Sequence, residues 1–252
     1  MPTLRRLESK VAIVTGGGTG IGEAIAHKFA QEGARVVVNG LAGDPVLDVV
    51  QAIVANGGRA VPFIADIAEP ENARKCVQTA IDTFGQLDIL IHNAGWVGYQ
   101  PIEEADATFI GRAVDINIYT PVWLCKFAWK YLKHSTAARV VLTSSDRAMY
   151  QHYAQPGLVA YAAAKMAQLG IMNALSMEGA PVGILVNAVS PVAKTRMWGV
   201  TEEPENLKPE WVAPGVVFLA SQQCNDTGYV LRASNGQFTA TRFVENPGVD
   251  YP

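Results

Sequence analysis

Tyr161 and Lys165 stand four positions apart in VAYAAAKMAQLG, residues 159–170, a run otherwise made of alanines and small apolar residues. Residues i and i+4 lie one above the other on a helix, so this spacing puts the phenol and the amine on one face. A phenol titrates near 10, too high to trade protons at neutral pH, and an adjacent ammonium lowers that value by stabilising phenolate. Such a pair is a general acid and base for a carbonyl or an alcohol. Of the eight tyrosines only Tyr161 has a lysine four places on, but one such pair arises easily by chance. Its company carries more weight: Ser144 and Ser145 close a predicted strand upstream, Asn93, Ala94 and Gly95 close another, and Asp115, Ile116 and Asn117 lie between them.

A second chemical feature stands near the start of the chain. The first predicted strand runs into TGGGTGIG, residues 15–22, and then into the helical pattern EAIAHKFAQEG. Glycines let a backbone turn sharply and approach a phosphate, and the free N–H groups at a helix start favour negative charge. Ile21 stands where a GxGxxG pattern would need its third glycine, so Gly16, Gly20 and Gly22 fit a GxxxGxG spacing instead. An acid at the end of the second strand would receive the ribose 2′-hydroxyl of NAD. Here VVVNGLAGD offers Asn39, Gly40 and Leu41, and neither an arginine nor a lysine lies close by in sequence to hold a 2′-phosphate. Thr19 and Asp44 are within reach of this place, though each also suits a turn or helix cap. The choice between NAD(H) and NADP(H) stays open, with a slight lean to NADP(H) because nothing anionic repels it.

These groups need a scaffold that brings strand ends together. Apolar runs at 10–16, 34–40, 59–66, 87–95, 138–145, 183–191 and 229–236 read as seven strands separated by helical segments. Valine and isoleucine fill them continuously, as in a mainly parallel sheet with helices on both faces. The expected fold is a Rossmann-like, doubly wound α/β sheet with right-handed crossovers, in a single domain spanning 1–252. Two long segments, 146–158 and 192–209, follow strand ends on the edge where such sheets bind ligands.

Composition narrows the partners. The 252 residues are 49% hydrophobic and 17% charged, which excludes a disordered chain. A net charge of −3 leaves no basic field for nucleic acid or anionic lipid, and no apolar run is of spanning length. A small-molecule or acyl-carrier-bound substrate is expected, in a soluble cytoplasmic protein. Cys76, Cys125 and Cys224 are far apart and form no metal-ligand pattern, so reduced core thiols are expected, with no disulfide framework and no metal site.

Taken in order, TGGGTGIG, NAG, DIN, SS and YAAAK resemble the motifs of the short-chain dehydrogenase/reductase family over essentially the whole chain. The resemblance implies an NAD(P)(H)-dependent oxidoreductase that interconverts a ketone and a secondary alcohol, with Asn117, Ser145, Tyr161 and Lys165 as its catalytic tetrad. It implies that Asp66 and Ile67 sit at the adenine ring, and that Asn93, Ala94, Gly95, Pro191 and Thr195 join Tyr161 and Lys165 around the rest of the cofactor. It also implies a homodimer or homotetramer formed through helices 117–134 and 159–178. Ser145 and Tyr161 are sixteen positions apart, wider than the family's spacing, so Met149, Tyr150, His152 and Tyr153 in the extra length are expected to shape the substrate pocket. The stretches SPVAKTRM and LKPEWVAPGVVFLAS are also similar to the hydroxyacyl-CoA dehydrogenase part of peroxisomal multifunctional enzymes type 2. That likeness implies a 3-oxoacyl or 3-hydroxyacyl thioester substrate. The alternatives are a carbonyl reductase of free ketones and a catalytically silent cofactor-binding regulator.

Overall fold

Seven runs rich in valine and isoleucine form the parallel part of one sheet: β1 (Val11–Val14), β2 (Arg35–Gly40), β3 (Arg59–Ile64), β4 (Ile89–His92), β5 (Ala138–Thr143), β6 (Ile184–Val192) and β7 (Val230–Ser234). Each falls within or at the edge of one of the seven predicted segments. Every residue of β1, β4 and β5 is buried, as a sheet covered on both faces requires. The computed structural model describes residues 5–199, 202 and 205–250.

An eighth strand, β8 (Gln237–Thr241), pairs antiparallel with β7 and was not among the seven expected. Asn235 and Gly236 turn the chain with φ of 51° and 75°. Two successive left-handed residues are what a tight hairpin turn needs, and Asn-Gly supplies them at least strain. The strand order is β3-β2-β1-β4-β5-β6-β7-β8, so the chain reverses its direction of travel between β1 and β4. The crevice outside that switch point, at the carboxyl ends of the strands, is where open α/β sheets bind ligands.

Alternate strand residues supply two cores. Ala12, Val14, Val36, Val38 and Ile91 pack beneath α1 (Gly20–Gln31), α2 (Val46–Ala55) and α8 (Ala213–Ala220). Val11, Ile13, Val37, Leu90 and Val140 pack on the other face, beneath α3 (Pro70–Phe84), α5 (Thr120–Leu132) and α7 (Val159–Gly179). The helix expected over 117–134 begins earlier, at α4 (Ala107–Val114), where the Asp106 carboxylate accepts the Phe109 N–H at 2.8 Å. A π-helical turn, Asp115–Tyr119, joins α4 to α5. A short α6 (Asp146–Met149) follows β5. Among the described residues no helix is long and apolar enough to cross a membrane.

Candidate active site

The glycine loop is built by exclusion of side chains. Gly16 has φ +62°, and a Cβ on Gly22 would run into the Gly16 carbonyl, so the strand-to-helix corner closes only with glycine at these places. Thr15 locks the corner to β4: its hydroxyl accepts the Asn93 and Ala94 N–H groups at 3.1 and 3.0 Å. The Asn93 amide then donates to the Thr15 and Gly16 carbonyls. Asn39 holds the other side, its carbonyl accepting the Gly17 N–H while its amide donates to Phe63 and Ala65 of the β3 end.

A cleft of about 1370 Å³ runs from this corner across the strand ends. Of the residues expected on the cofactor side, all but Gly22 line it. Asp66 stands at its rim with its carboxylate accepting the Ala68 N–H, and Ile67 is buried beside it. Thr195 packs over the opposite wall, its methyl 3.2 Å from where a Gly20 Cβ would stand.

At the far end of the cleft, Tyr161 and Lys165 both lie on the buried face of α7, and Ser145 stands opposite as the residue before α6. The Ser145 hydroxyl hydrogen-bonds the Tyr161 phenol and accepts the Arg147 N–H. Lys165 Nζ donates to the Thr143 carbonyl at 2.9 Å and lies 5.9 Å from the centroid of the Tyr161 ring. Asn117 does not line the cleft but stands directly behind it. Its Nδ2 donates to Trp96 O and Ala113 O, and its Oδ1 is buried with no partner among the described residues. A Cβ on Gly95 would stand 3.1 Å from both that oxygen and Lys165 Nζ. The π-turn swings Asn117 inward, and the Thr120 hydroxyl holds the turn by donating to Asp115 O at 2.8 Å.

Burial sets the charges here. It pulls the Lys165 amine down to about 7 and raises the Tyr161 phenol above its usual range, outweighing the Ser145 hydrogen bond and the Arg147 charge, which act to lower it. The expected lowering of the phenol is thus outweighed by burial here, and the charge that acts against burial is that of Arg147.

Two other expectations change. Met149, Tyr150, His152 and Tyr153 do not line the cleft. Met149 packs on the core, and Tyr150 hydrogen-bonds Thr241 of β8. Trp96, Tyr99, Arg112 and Arg147 line the cleft instead, with Arg112 over the Trp96 ring at 4.8 Å and Arg147 donating to the Tyr99 hydroxyl. The end of β2 also lacks neither acid nor base: Asp44 folds back over it, and Arg196 arrives from 152 residues away to pair with Asp44 at 2.8 Å. Nothing local in the sequence joins those two residues. Trp96, Tyr99 and Trp198 follow predicted strand ends, which makes each a candidate for an apolar pocket wall; the first two line the cleft, and the side chain of Trp198 lies outside those described.

The glycine corner, the cradle of strand ends and the orphan Asn117 oxygen facing Lys165 fit a bound dinucleotide, and comparison with known proteins agrees. The family model for short chain dehydrogenase matches residues 10–206. Peroxisomal multifunctional enzyme A of Dictyostelium discoideum is 34% identical over 96% of this chain and 56% of its own length. Peroxisomal multifunctional enzyme type 2 of Mus musculus is also 34% identical, over 96% of this chain and 34% of its own length. The chain thus spans about half or less of these relatives. A short chain dehydrogenase from Burkholderia cenocepacia J2315, solved in complex with NADP, is 30% identical, with a TM-score of 0.83 covering 92% of this chain and 98% of that one. With a family model matching most of its length and a relative of this kind solved with NADP, the chain belongs to the short-chain dehydrogenase family of NAD(P)-dependent oxidoreductases.

Proposed function

We propose that the protein interconverts a ketone and a secondary alcohol, and that its substrate is a 3-oxoacyl or 3-hydroxyacyl thioester. The observation that carries this reading is the convergence of Ser145, Tyr161, Lys165 and Asn117 at one end of the cleft. The bound dinucleotide supplies hydride in the reducing direction and accepts it in the other. Ser145 orients the carbonyl oxygen by a hydrogen bond, and the Tyr161 hydroxyl gives that oxygen its proton. Lys165, with its amine near 7, returns a proton toward the phenol, and the unpaired Asn117 Oδ1 holds the relay at its inner end. Gly16, Thr19, Gly20 and Ile21 hold the pyrophosphate; Asp66 and Ile67 face the adenine; Pro191 and Thr195 face the carboxamide.

The thioester is supported by the likeness of SPVAKTRM and LKPEWVAPGVVFLAS to the multifunctional enzymes, one of which is 34% identical over 96% of this chain. A homodimer or homotetramer is supported by exposed apolar side chains on the π-turn, α5 and α7, among them Tyr119, Val122 and Val159. The lean to NADP(H) rested on a bare second-strand end, and Asp44 with Arg196 removes that ground.

The test is oxidation of NADH and NADPH with acetoacetyl-coenzyme A, a free β-keto ester and an aryl ketone. Turnover of the thioester is expected, and Tyr161→Phe should lower it by about 10²- to 10⁴-fold while dinucleotide binding persists. Full activity in that variant would remove the assigned acid. Turnover of the free ketones alone would favour a carbonyl reductase, and no turnover beside intact binding would favour the silent regulator.

A further inference from the structure

The end of β2 carries no side chain that could read the adenosine ribose, because a Cβ on Gly40 would stand 2.6 Å from Val46 Cγ2, buried at the start of α2. Asp44 stands there in its stead. Its Oδ2 accepts the Leu41 N–H at 3.0 Å and lies 3.2 Å from where the Gly40 Cβ would be, while its own Cβ lies 3.0 Å from where a Gly18 Cβ would be. The carboxylate therefore sits between the strand end and the glycine corner, on the wall of the cleft. Its Oδ1 accepts from Arg196 Nη2 at 2.8 Å, and the same nitrogen donates to the Thr19 hydroxyl at 2.9 Å. We propose that Asp44 receives the 2′-hydroxyl of the adenosine ribose and turns away a 2′-phosphate, with Arg196 as the clamp that fixes its carboxylate, so that the enzyme prefers NAD(H).

The proposal rests on the dinucleotide reading of the cleft and names which dinucleotide it takes. Each carboxylate oxygen has two acceptor sites, so one bond to each from Leu41 and Arg196 leaves room for a hydroxyl donor. A 2′-phosphate has no proton to offer at neutral pH and adds close to two negative charges. It could be held only by drawing Arg196 off Asp44, whose side chain is 18% exposed, against 61% for Arg196. That exchange strands a mostly buried carboxylate without its charge-assisted partner. The ion pair thus works as a selector whose two halves have opposite preferences: the acid for the hydroxyl, the exposed base for the phosphate.

The experiment is fluorescence titration of NADH and NADPH into the wild type, Asp44→Asn and Asp44→Asn/Arg196→Ala. Asparagine keeps the shape and an oxygen for the Leu41 N–H, and a thermal melt checks that the variants are folded. The wild type is expected to bind NADH at least about tenfold more tightly than NADPH. Asp44→Asn should weaken NADH by about tenfold and tighten NADPH, as Arg196 is released to the phosphate. Adding Arg196→Ala should abolish the NADPH gain and leave NADH weak. A wild type that binds both equally or favours NADPH, or an Asp44→Asn variant with an unchanged ratio, would overturn the selector and leave the oxidoreductase reading standing. Failure of the wild type to bind either dinucleotide would overturn both.

Discussion

Lys165 has its amine in a setting that opposes its charge, with the Thr143 carbonyl as its one hydrogen-bond partner among the described residues. A stability effect follows. The native amine titrates near 7 and an unfolded lysine near about 10.4, so between these values the unfolded chain binds more protons than the native one. Stability from this residue is therefore least below pH 7 and rises as the pH climbs through that window, by at most about 1.4 kcal/mol per pH unit. Lys165→Met should remove this rise, as read from urea midpoints between pH 7 and 10; an unchanged pH dependence would show that the amine is not held in this state. The grouping of Asn117, Ser145, Tyr161 and Lys165 at one end of the cleft was legible in the sequence through the resemblance of their motifs, taken in chain order, to those of the family. Their protonation was not, because desolvation is set by what packs around Lys165, and no neighbour in the chain reports it. Asp44 and Arg196 escaped for a similar reason: they meet only after α2 and the segment following β6 have been placed.

At the scale of the element, the corner between β1 and α1 is the most demanding piece of backbone. Gly22→Ala places a methyl against the Gly16 carbonyl, which is backbone fixed in turn by Asn93. Either α1 shifts away from the sheet or the loop opens, and in both cases the N–H groups that face the pyrophosphate are displaced. Dinucleotide affinity should fall by at least about tenfold, with a lowered melting temperature. Retained affinity would show that the corner relaxes freely. The glycine pattern announced this corner, and continuous valine and isoleucine announced the seven parallel strands, since a strand buried on both faces must be apolar throughout. β8 was missed because four of its five residues are exposed, which erases the hydrophobic signal, although the Asn-Gly turn before it was in plain view. The π-turn at Asp115–Tyr119 has no compositional mark. Its extra residue is recognisable only from the Thr120 N–H reaching back to Asp115 O.

At the scale of the molecule, side-chain ties fasten the N-terminal segment to the end of α1 and the β7–β8 hairpin to the segment after β5. Arg6 grips Glu32 through its backbone N–H and two guanidinium nitrogens, the shortest at 2.6 Å, and Lys28 adds an ion pair at 3.1 Å. The Arg6 hydrogen bond chiefly, with Lys28 assisting, brings the Glu32 carboxyl down to about 2. Its folded value lies below the unfolded one, so the stability it lends is complete above about pH 4.3 and is lost as the pH falls through about 2. Glu32→Gln should lower stability by about 1–3 kcal/mol at neutral pH and flatten the acid limb of the stability curve. An acid limb identical to the wild type would show that the clamp does not form. The opposite end of the sheet is tied to the chemistry. Tyr150 bonds Thr241 of β8, and Arg232 of β7 pairs with Asp146, the residue after Ser145. The β7–β8 ribbon therefore acts as an outrigger for Ser145. A protease nick at the exposed Asn235–Gly236 bend would spare the parallel core yet unmoor the floor on which the carbonyl is presented, so an enzyme cut there would keep its nucleotide and lose its grip on the substrate.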